Sequence, residues 1–350
     1  MKAILVTPEK KGSVRMEDVP PPEREGRQAL LKPLMVGFDR TDLDINDGIY
    51  GEAPHGSDYL VAAHECLSRV EEAPDDGTEV GRGDLVVPTV RRPDGCANCA
   101  RGESDMCTQG GYMEHGIKGL HGFASELAVS DAGFLVRIPE ELKDIAVLLE
   151  PMSIAEKGVF QTMKIQERLV WQPRRALVLG AGPLGLLTCF LLRVRGLEVD
   201  VVATRSQESL KAKLAQRAGA TYVNARETKL EELGSFDVIM EDTGVPEVAV
   251  QAQRLLNPNG VMCLLGIYGS RQETFDAGRA YTDLVLGNRV LFGSVNANRK
   301  YFEMGVQDFA RVKKAYPGVL NSMLTSVIEQ GQYQKAYSPS EEDIKTVIRF

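Results

Sequence analysis

"RRALVLGAGPLGLLTCFLLRVRG", Arg174 to Gly196, decides the fold. An apolar run ending at Leu179 meets Gly180, Gly182 and Gly185 in G-x-G-x-x-G spacing, and a long apolar stretch free of helix breakers follows. Strand, glycine turn and helix in that order are what a dinucleotide-binding βαβ unit needs. Gly180 permits the tight turn, Gly182 leaves room for a pyrophosphate, and Gly185 lets the helix close onto the sheet. Pro183 and Leu184 complete the turn and belong to the same expected cofactor site.

Downstream the rhythm repeats. "EVDVVATR" reads as a second strand, "SLKAKLAQRAGA" as a helix stopped by glycine, and "FDVIMEDTG", "VAVQAQRLLNPNG" and "VMCLLGIYG" continue the alternation of a parallel sheet. NAD-selective sites end the second strand with an acid that bonds the ribose hydroxyls. Here the strand ends in Thr204, Arg205 and Ser206, which suit a 2′-phosphate through charge-assisted bonds, so the expected cofactor is NADP, with NAD also usable. The plainer reading makes Arg205 a solvated surface residue.

Upstream, residues 1 to about 150 carry short β-type runs such as "ALLKPLMVGF", "GDLVVPTV" and "GFLVRIP", separated by Gly, Pro and acidic turns, the texture of a compact β domain. A chain of 350 residues is long for one core and comfortable for two. The 41 basic and 49 acidic residues give a net charge of -8, which argues against a nucleic-acid footprint. "MKAILVTPEKKG" is too short in apolar residues for a signal peptide, and "GLLTCFLL" is short of a membrane span. A cytoplasmic enzyme is the simplest expectation, and there cysteines are reduced or metal-bound rather than paired.

Chemistry is expected elsewhere. "VGFDRTDLDINDG" offers Asp39, Thr41 and Asp42 after a strand, His64 and Glu65 follow the apolar "YLVAA", and Glu150 opens a helical stretch in "LLEPMSIAEKG". An enzyme that removes hydride from an alcohol must also lose the hydroxyl proton, and a zinc ion with three protein ligands and an open position eases that loss. Asp39, His64 and Glu150 supply one imidazole and two carboxylates, leaving Thr41 to pass the proton toward solvent.

These residues carry a resemblance. The order of β-rich domain, ligand loop, His-Glu, cysteine lobe, Glu-Pro and glycine turn resembles the zinc-dependent medium-chain dehydrogenases. "VVPTVRRP", "EHGIKGLHGFASE", "EPMSIAEK" and "GSVNANRKYFE" resemble, more narrowly, the archaeal-type glucose (aldose) 1-dehydrogenases. The resemblance implies a GroES-like catalytic domain over residues 1–157 and 296–350 and a Rossmann domain over 158–295. It implies catalytic zinc on Asp39, His64 and Glu150, with Glu65 beside or transiently on the metal and Thr41 as relay. It places Thr89, Glu114, Glu150 and Asn298 on the sugar, and Asn296 and Asn298 near the nicotinamide. The implied reaction oxidises an aldose, D-glucose first, at C1 to the aldono-1,5-lactone, in a homodimer or homotetramer.

Arg40 and Cys66 depart from the family's usual small residues, and His115 is also unusual. Arg40 points outward, shapes the sugar pocket or binds a phosphate. Cys96, Cys99 and Cys107 match a structural zinc lobe whose fourth cysteine is replaced by Pro93, so Asp94 is the nearest candidate for the fourth ligand. The competing readings are an ordered loop of reduced cysteines, a polyol or alcohol dehydrogenase of the same superfamily, and a zinc-free quinone reductase-like relative.

Overall fold

The structure is a computed structural model and describes every residue except Asp75 and Asp76. Strands β1 (Lys2–Val6), β2 (Arg15–Asp18), β3 (Gln28–Phe38), β4 (Leu60–Val61), β5 (Glu65–Glu72) and β6 (Leu85–Pro88) open the chain, with helix α1 (Arg40–Asn46) after β3. The short β7 (Arg91–Arg92), α2 (Ala97–Ala100), β8 (Met113–His115) and β9 (Gly119–Leu120) follow, then β10 (Ala128–Asp131), β11 (Leu135–Arg137) and α3 (Leu149–Ile165). Next come β12 (Arg175–Leu179), α4 (Pro183–Val194), β13 (Glu198–Ala203), α5 (Leu210–Arg217), β14 (Thr221–Asn224) and β15 (Phe236–Glu241). The chain ends with α6 (Pro246–Ala252), β16 (Leu256–Leu264), α7 (Ala277–Gly287), β17 (Val290–Gly293), α8 (Arg299–Ala315), β18 (Leu324–Glu329) and β19 (Lys345–Arg349).

Two compact units result: Met1–Ser153 with Asn296–Val306 and Met323–Phe350, and Ile154–Val295 with Gln307–Ser322. In the first, β11-β6-β5-β3-β19-β18 form one sheet with β10 also on β3, beside smaller β2-β1-β4 and β7-β8-β9 sheets. β1 is buried from Ala3 to Val6, and Ile4 packs with Val36, Phe123 and Ile348 in one core, while Leu31 on β3 packs with Val70, Val86 and Leu135 in a second. Strand β19 comes from the last residues of the chain yet pairs with β3, so the C-terminus completes this β unit. The sequence expectation assigned all of 296–350 there. Residues 307–322 instead pack with the second unit, where Arg195 bonds Asp308 at 2.7 Å and Arg217 donates to the Pro317 carbonyl at 2.8 Å.

The second unit holds a parallel sheet in the order β14-β13-β12-β15-β16-β17. β12 is flanked by β13 and β15, so the strand order reverses there, and the turn after β12 is the place where such sheets bind ligands. Among the described residues, no helix is long and apolar enough to cross a membrane.

Candidate active site

Helix α1 begins because Asp39 caps it. Its Oδ1 accepts from the Thr41 backbone N–H at 2.8 Å, and Asp42 returns the favour to the Asp39 N–H at 3.1 Å, a reciprocal capping box. Capping uses one carboxylate oxygen and turns the other inward. Asp39 Oδ2 lies 3.8 Å from His64 Nε2 and accepts from the Thr41 hydroxyl at 3.4 Å. The other oxygen of Asp42 takes the Ala63 N–H at 3.0 Å, which holds Ala63 at a φ of 67° and aims the next residue, His64, at the loop. Gly122 makes this approach feasible, since a Cβ there would collide with the Ala62 and Ala63 carbonyls.

Two further carboxylates reach His64. Glu65 starts β5, and Glu150 lies in the first turn of α3. Metal-ligand atoms of Asp39, Asp42 and His64 form one group within 4.8 Å, and those of His64, Glu65 and Glu150 form another. His64 is the shared vertex. Thus the expected Asp39, His64 and Glu150 meet through the imidazole, and the sequence reading had not given Asp42 its place.

The charge balance suits a cation. Burial would lower the His64 pKa, but Asp39, Glu150, Asp42 and Glu65 outweigh it and lift it to about 9. Burial, with like charges added, pushes Glu150 up to about 8 and Asp42 up to about 7. His64 Nδ1 is buried without a hydrogen-bond partner. One imidazole among four buried or half-buried carboxylates is a hard, oxygen-rich donor set with surplus negative charge, and a zinc ion fits it.

A buried lysine was missed. Lys345 on β19 holds both Glu65 oxygens, with both side chains 1% exposed. β3 runs between β5 and β19, and Gly37 on it faces Glu65 across the strand pair. A Cβ at Gly37 would collide with Glu65 Oε2 and come within 3.0 Å of Lys345 Cε, so glycine there makes room for the ion pair. The available signal was Lys345 sharing strand parity with Val347, a lysine in phase with a core position.

The sugar-contact candidates gather in the same unit. Glu114 accepts from Asn296 Nδ2 at 2.7 Å, Asn298 Nδ2 donates to Asp105 at 2.8 Å, and the Thr89 hydroxyl accepts from Arg92 at 3.3 Å. Thr89, Glu114, Asn296 and Asn298 are all buried. The departures resolve differently. Arg40 is 73% exposed and paired with Asp44 at 2.6 Å, so it points outward. Cys66 is fully buried beside Ser68, and burial pushes its thiol up to about 12. His115 packs on Phe123 and bonds the His121 carbonyl; burial brings its pKa down to about 3, a neutral packing residue.

In the cysteine lobe, Asp94, Cys96, Cys99 and Cys107 bring ligand atoms within 4.8 Å of one another. Asp94 Oδ2 accepts from the Cys107 thiol at 2.9 Å, while Cys96 and Cys107 sulfurs are 4.0 Å apart, far beyond a disulfide. All six cysteines are free thiols. Three sulfurs and one carboxylate form a closed four-donor set, the chemistry of a structural zinc.

In the second unit, Gly180 has a φ of 109°, open to glycine and strained for other residues. A Cβ at Gly185 would collide with the Gly180 carbonyl, whereas one at Gly182 would meet nothing within 4 Å. Gly182 caps α4 with no side chain, so the helix start, with Pro183 first and Leu184 next, stays open to an anion. Beyond β13, Thr204 and Ser206 are exposed and Arg205 is half-buried, its carbonyl accepting from the Tyr222 hydroxyl at 2.9 Å.

Residues 25–140 match the model of the alcohol dehydrogenase GroES-like domain, and residues 143–350 match that of the glucose dehydrogenase C-terminus. Glucose 1-dehydrogenase 1 of Caldivirga maquilingensis is 47% identical, over 99% of this chain and 98% of its own. Glucose 1-dehydrogenase of Thermoproteus tenax is 45% identical, over 100% and 99%. The structure of Haloferax mediterranei glucose dehydrogenase in complex with NADP, Zn and gluconolactone superposes with a TM-score of 0.93 at 36% identity, covering 100% of this chain and 99% of that one.

Proposed function

This chain belongs to the glucose dehydrogenase family of GroES-like alcohol dehydrogenases, and from that premise we propose that it oxidises D-glucose at C1 to D-glucono-1,5-lactone, passing hydride to NADP. The observation that carries the reading is His64, a buried imidazole with an unpartnered nitrogen set among Asp39, Glu65 and Glu150. Overall, aldose and NADP⁺ give lactone, NADPH and one proton.

Asp39, His64 and Glu150 would hold the zinc, with Glu65 and Asp42 beside them. Bound there, zinc supplies Lewis acidity that eases loss of the C1 hydroxyl proton. The chain does the rest. The Thr41 hydroxyl takes the proton onward, next to the phenol of exposed Tyr50, the side toward solvent. Glu114, Thr89 and Asn298 orient the sugar through its hydroxyls, while Gly180, Gly182 and Gly185 seat the dinucleotide. Incubating the protein with NADP or NAD and glucose, galactose, xylose, sorbitol and simple alcohols tests the reading; turnover of polyols but not aldoses would overturn it.

Arg205, with Thr204 and Ser206, binds the 2′-phosphate. Losing one charged hydrogen bond costs about 1.5–3 kcal/mol, so Arg205→Ala should raise the NADP Michaelis constant about ten- to a hundredfold and leave that for NAD nearly unchanged. Equal effects on both cofactors would remove Arg205 from the phosphate site. The cysteine lobe holds a second, structural zinc through Cys96, Cys99, Cys107 and Asp94. Metal analysis should then count two zinc ions per chain; one, kept in a Cys99→Ser variant, would leave the lobe empty.

The protein works as a homo-oligomer. β17 is the unpaired edge of its sheet, and exposed apolar side chains concentrate on it and the preceding helix: Leu291 at 40%, Tyr281 at 60%, Val285 at 74% and Leu286 at 79%. A monomer in light scattering at micromolar concentration would contradict this. Free thiols fit a reducing cytoplasm, which cell fractionation checks.

A further inference from the structure

Strands β7 and β8 pair antiparallel with Arg91 opposite Glu114, so the two side chains share one face of a very short strand pair. Both are buried, Arg91 at 5% and Glu114 at 8% exposure. Arg91 Nε donates to Glu114 Oε1 at 3.0 Å, and Asn296 donates to that same oxygen at 2.7 Å. Two donors converge on Oε1. The second oxygen is thereby left for ligand hydroxyls, at an angle set by the first.

Arg91 reaches further. Its Nη1 lies 3.5 Å from the carbonyls of Ser104 and Asp105, and the Asp105 carboxylate accepts from Asn298 Nδ2 at 2.8 Å. Its guanidinium sits 3.7 Å over the Tyr112 ring, which leaves the planar fork one orientation. One guanidinium thus touches the carboxylate at position 114 directly and the carboxamide at 298 through one intervening loop. A buried ion pair of this kind is weak support for stability compared with apolar packing of equal volume, but it fixes direction, and a lysine has no fork with which to do so.

We propose that Arg91 is the positioning residue for sugar recognition: it aims Glu114, and through Asp105 it aims Asn298, and so sets which aldose epimer is oxidised. The inference rests on the reading of Glu114 and Asn298 as sugar contacts. Inversion of one ring hydroxyl would leave an aimed carboxylate oxygen or carboxamide without its partner, a mismatch that buried polar sites reject strongly. A carboxylate free to turn would follow the inverted hydroxyl and lose that discrimination.

The test uses the zinc-loaded enzyme with NADP and the variant Arg91→Lys. The Michaelis constant for glucose should rise about tenfold or more, the scale of one charged hydrogen bond, and the glucose to galactose ratio of kcat/KM should fall by a similar factor. The Michaelis constant for NADP should stay within about twofold, a split that a general loss of structure would not produce. Calorimetric binding of fresh D-glucono-1,5-lactone, which needs no turnover, should weaken in parallel. Should Arg91→Lys fail to fold, Tyr112→Leu replaces it, with an expected shift of about threefold in the same direction. A folded variant with wild-type glucose affinity and epimer ratio overturns the proposal. Wild-type protein that neither oxidises glucose nor binds the lactone overturns instead the functional reading beneath it.

Discussion

His64→Ala should lower kcat/KM for glucose by more than about a hundredfold, the scale on which single electrostatic groups at a reacting centre count. Its ring is the vertex shared by both carboxylate groups, so its loss breaks the donor set rather than trimming it. Zinc bound per chain should fall by one while the cysteine lobe keeps its own. Alanine also removes the imidazole and leaves Asp39, Asp42 and Glu150 as an all-oxygen set, so the variant should hold zinc far more weakly at this position. Kinetics and metal analysis on the same preparation check both parts. A variant with wild-type turnover and full metal content would place the chemistry elsewhere.

The second large effect concerns stability. Lys345→Met should destabilise the protein by about 3–5 kcal/mol, because it removes the ion-pair partner of a Glu65 carboxylate that is 1% exposed. Gly37 beneath the pair allows no compensating shift of the strands, since the three strands β5, β3 and β19 are in direct register there. Adding Glu65→Gln should recover much of the loss, as removing both charges is cheaper than removing one. Urea unfolding of the two variants measures this. Equal stability of Lys345→Met and wild type would mean that the pair contributes nothing and that Glu65 finds another partner.

Parts of this were legible in the chain itself. Local chemistry reads directly: the Gly180 to Gly185 spacing demands a particular backbone path, and Gly180 indeed occupies a positive φ. The parallel sheet was readable for the same reason, because strand and helix periods alternate over short distances. Long-range pairings were not. Lys345 meets Glu65 across 280 positions and Asn296 meets Glu114 across 182, contacts that only tertiary packing creates. Helix α8 belongs to the same class: its first turns group with one unit and the remainder with the other, which no local pattern announces. Asp42 shows a subtler failure. Its capping-box role is legible as D-x-x-D, yet the Ala63 contact that gives it a part in aiming His64 comes from 21 positions away.

The most direct test of the central claim follows a label. D-[1-²H]glucose incubated with the zinc-loaded enzyme and NADP⁺ should give gluconolactone, with the deuterium at C4 of the nicotinamide. A primary isotope effect should appear wherever hydride transfer limits the rate. Deuterium retained in the sugar while the cofactor is reduced, or reduction only with alcohols other than the anomeric one, would contradict the account.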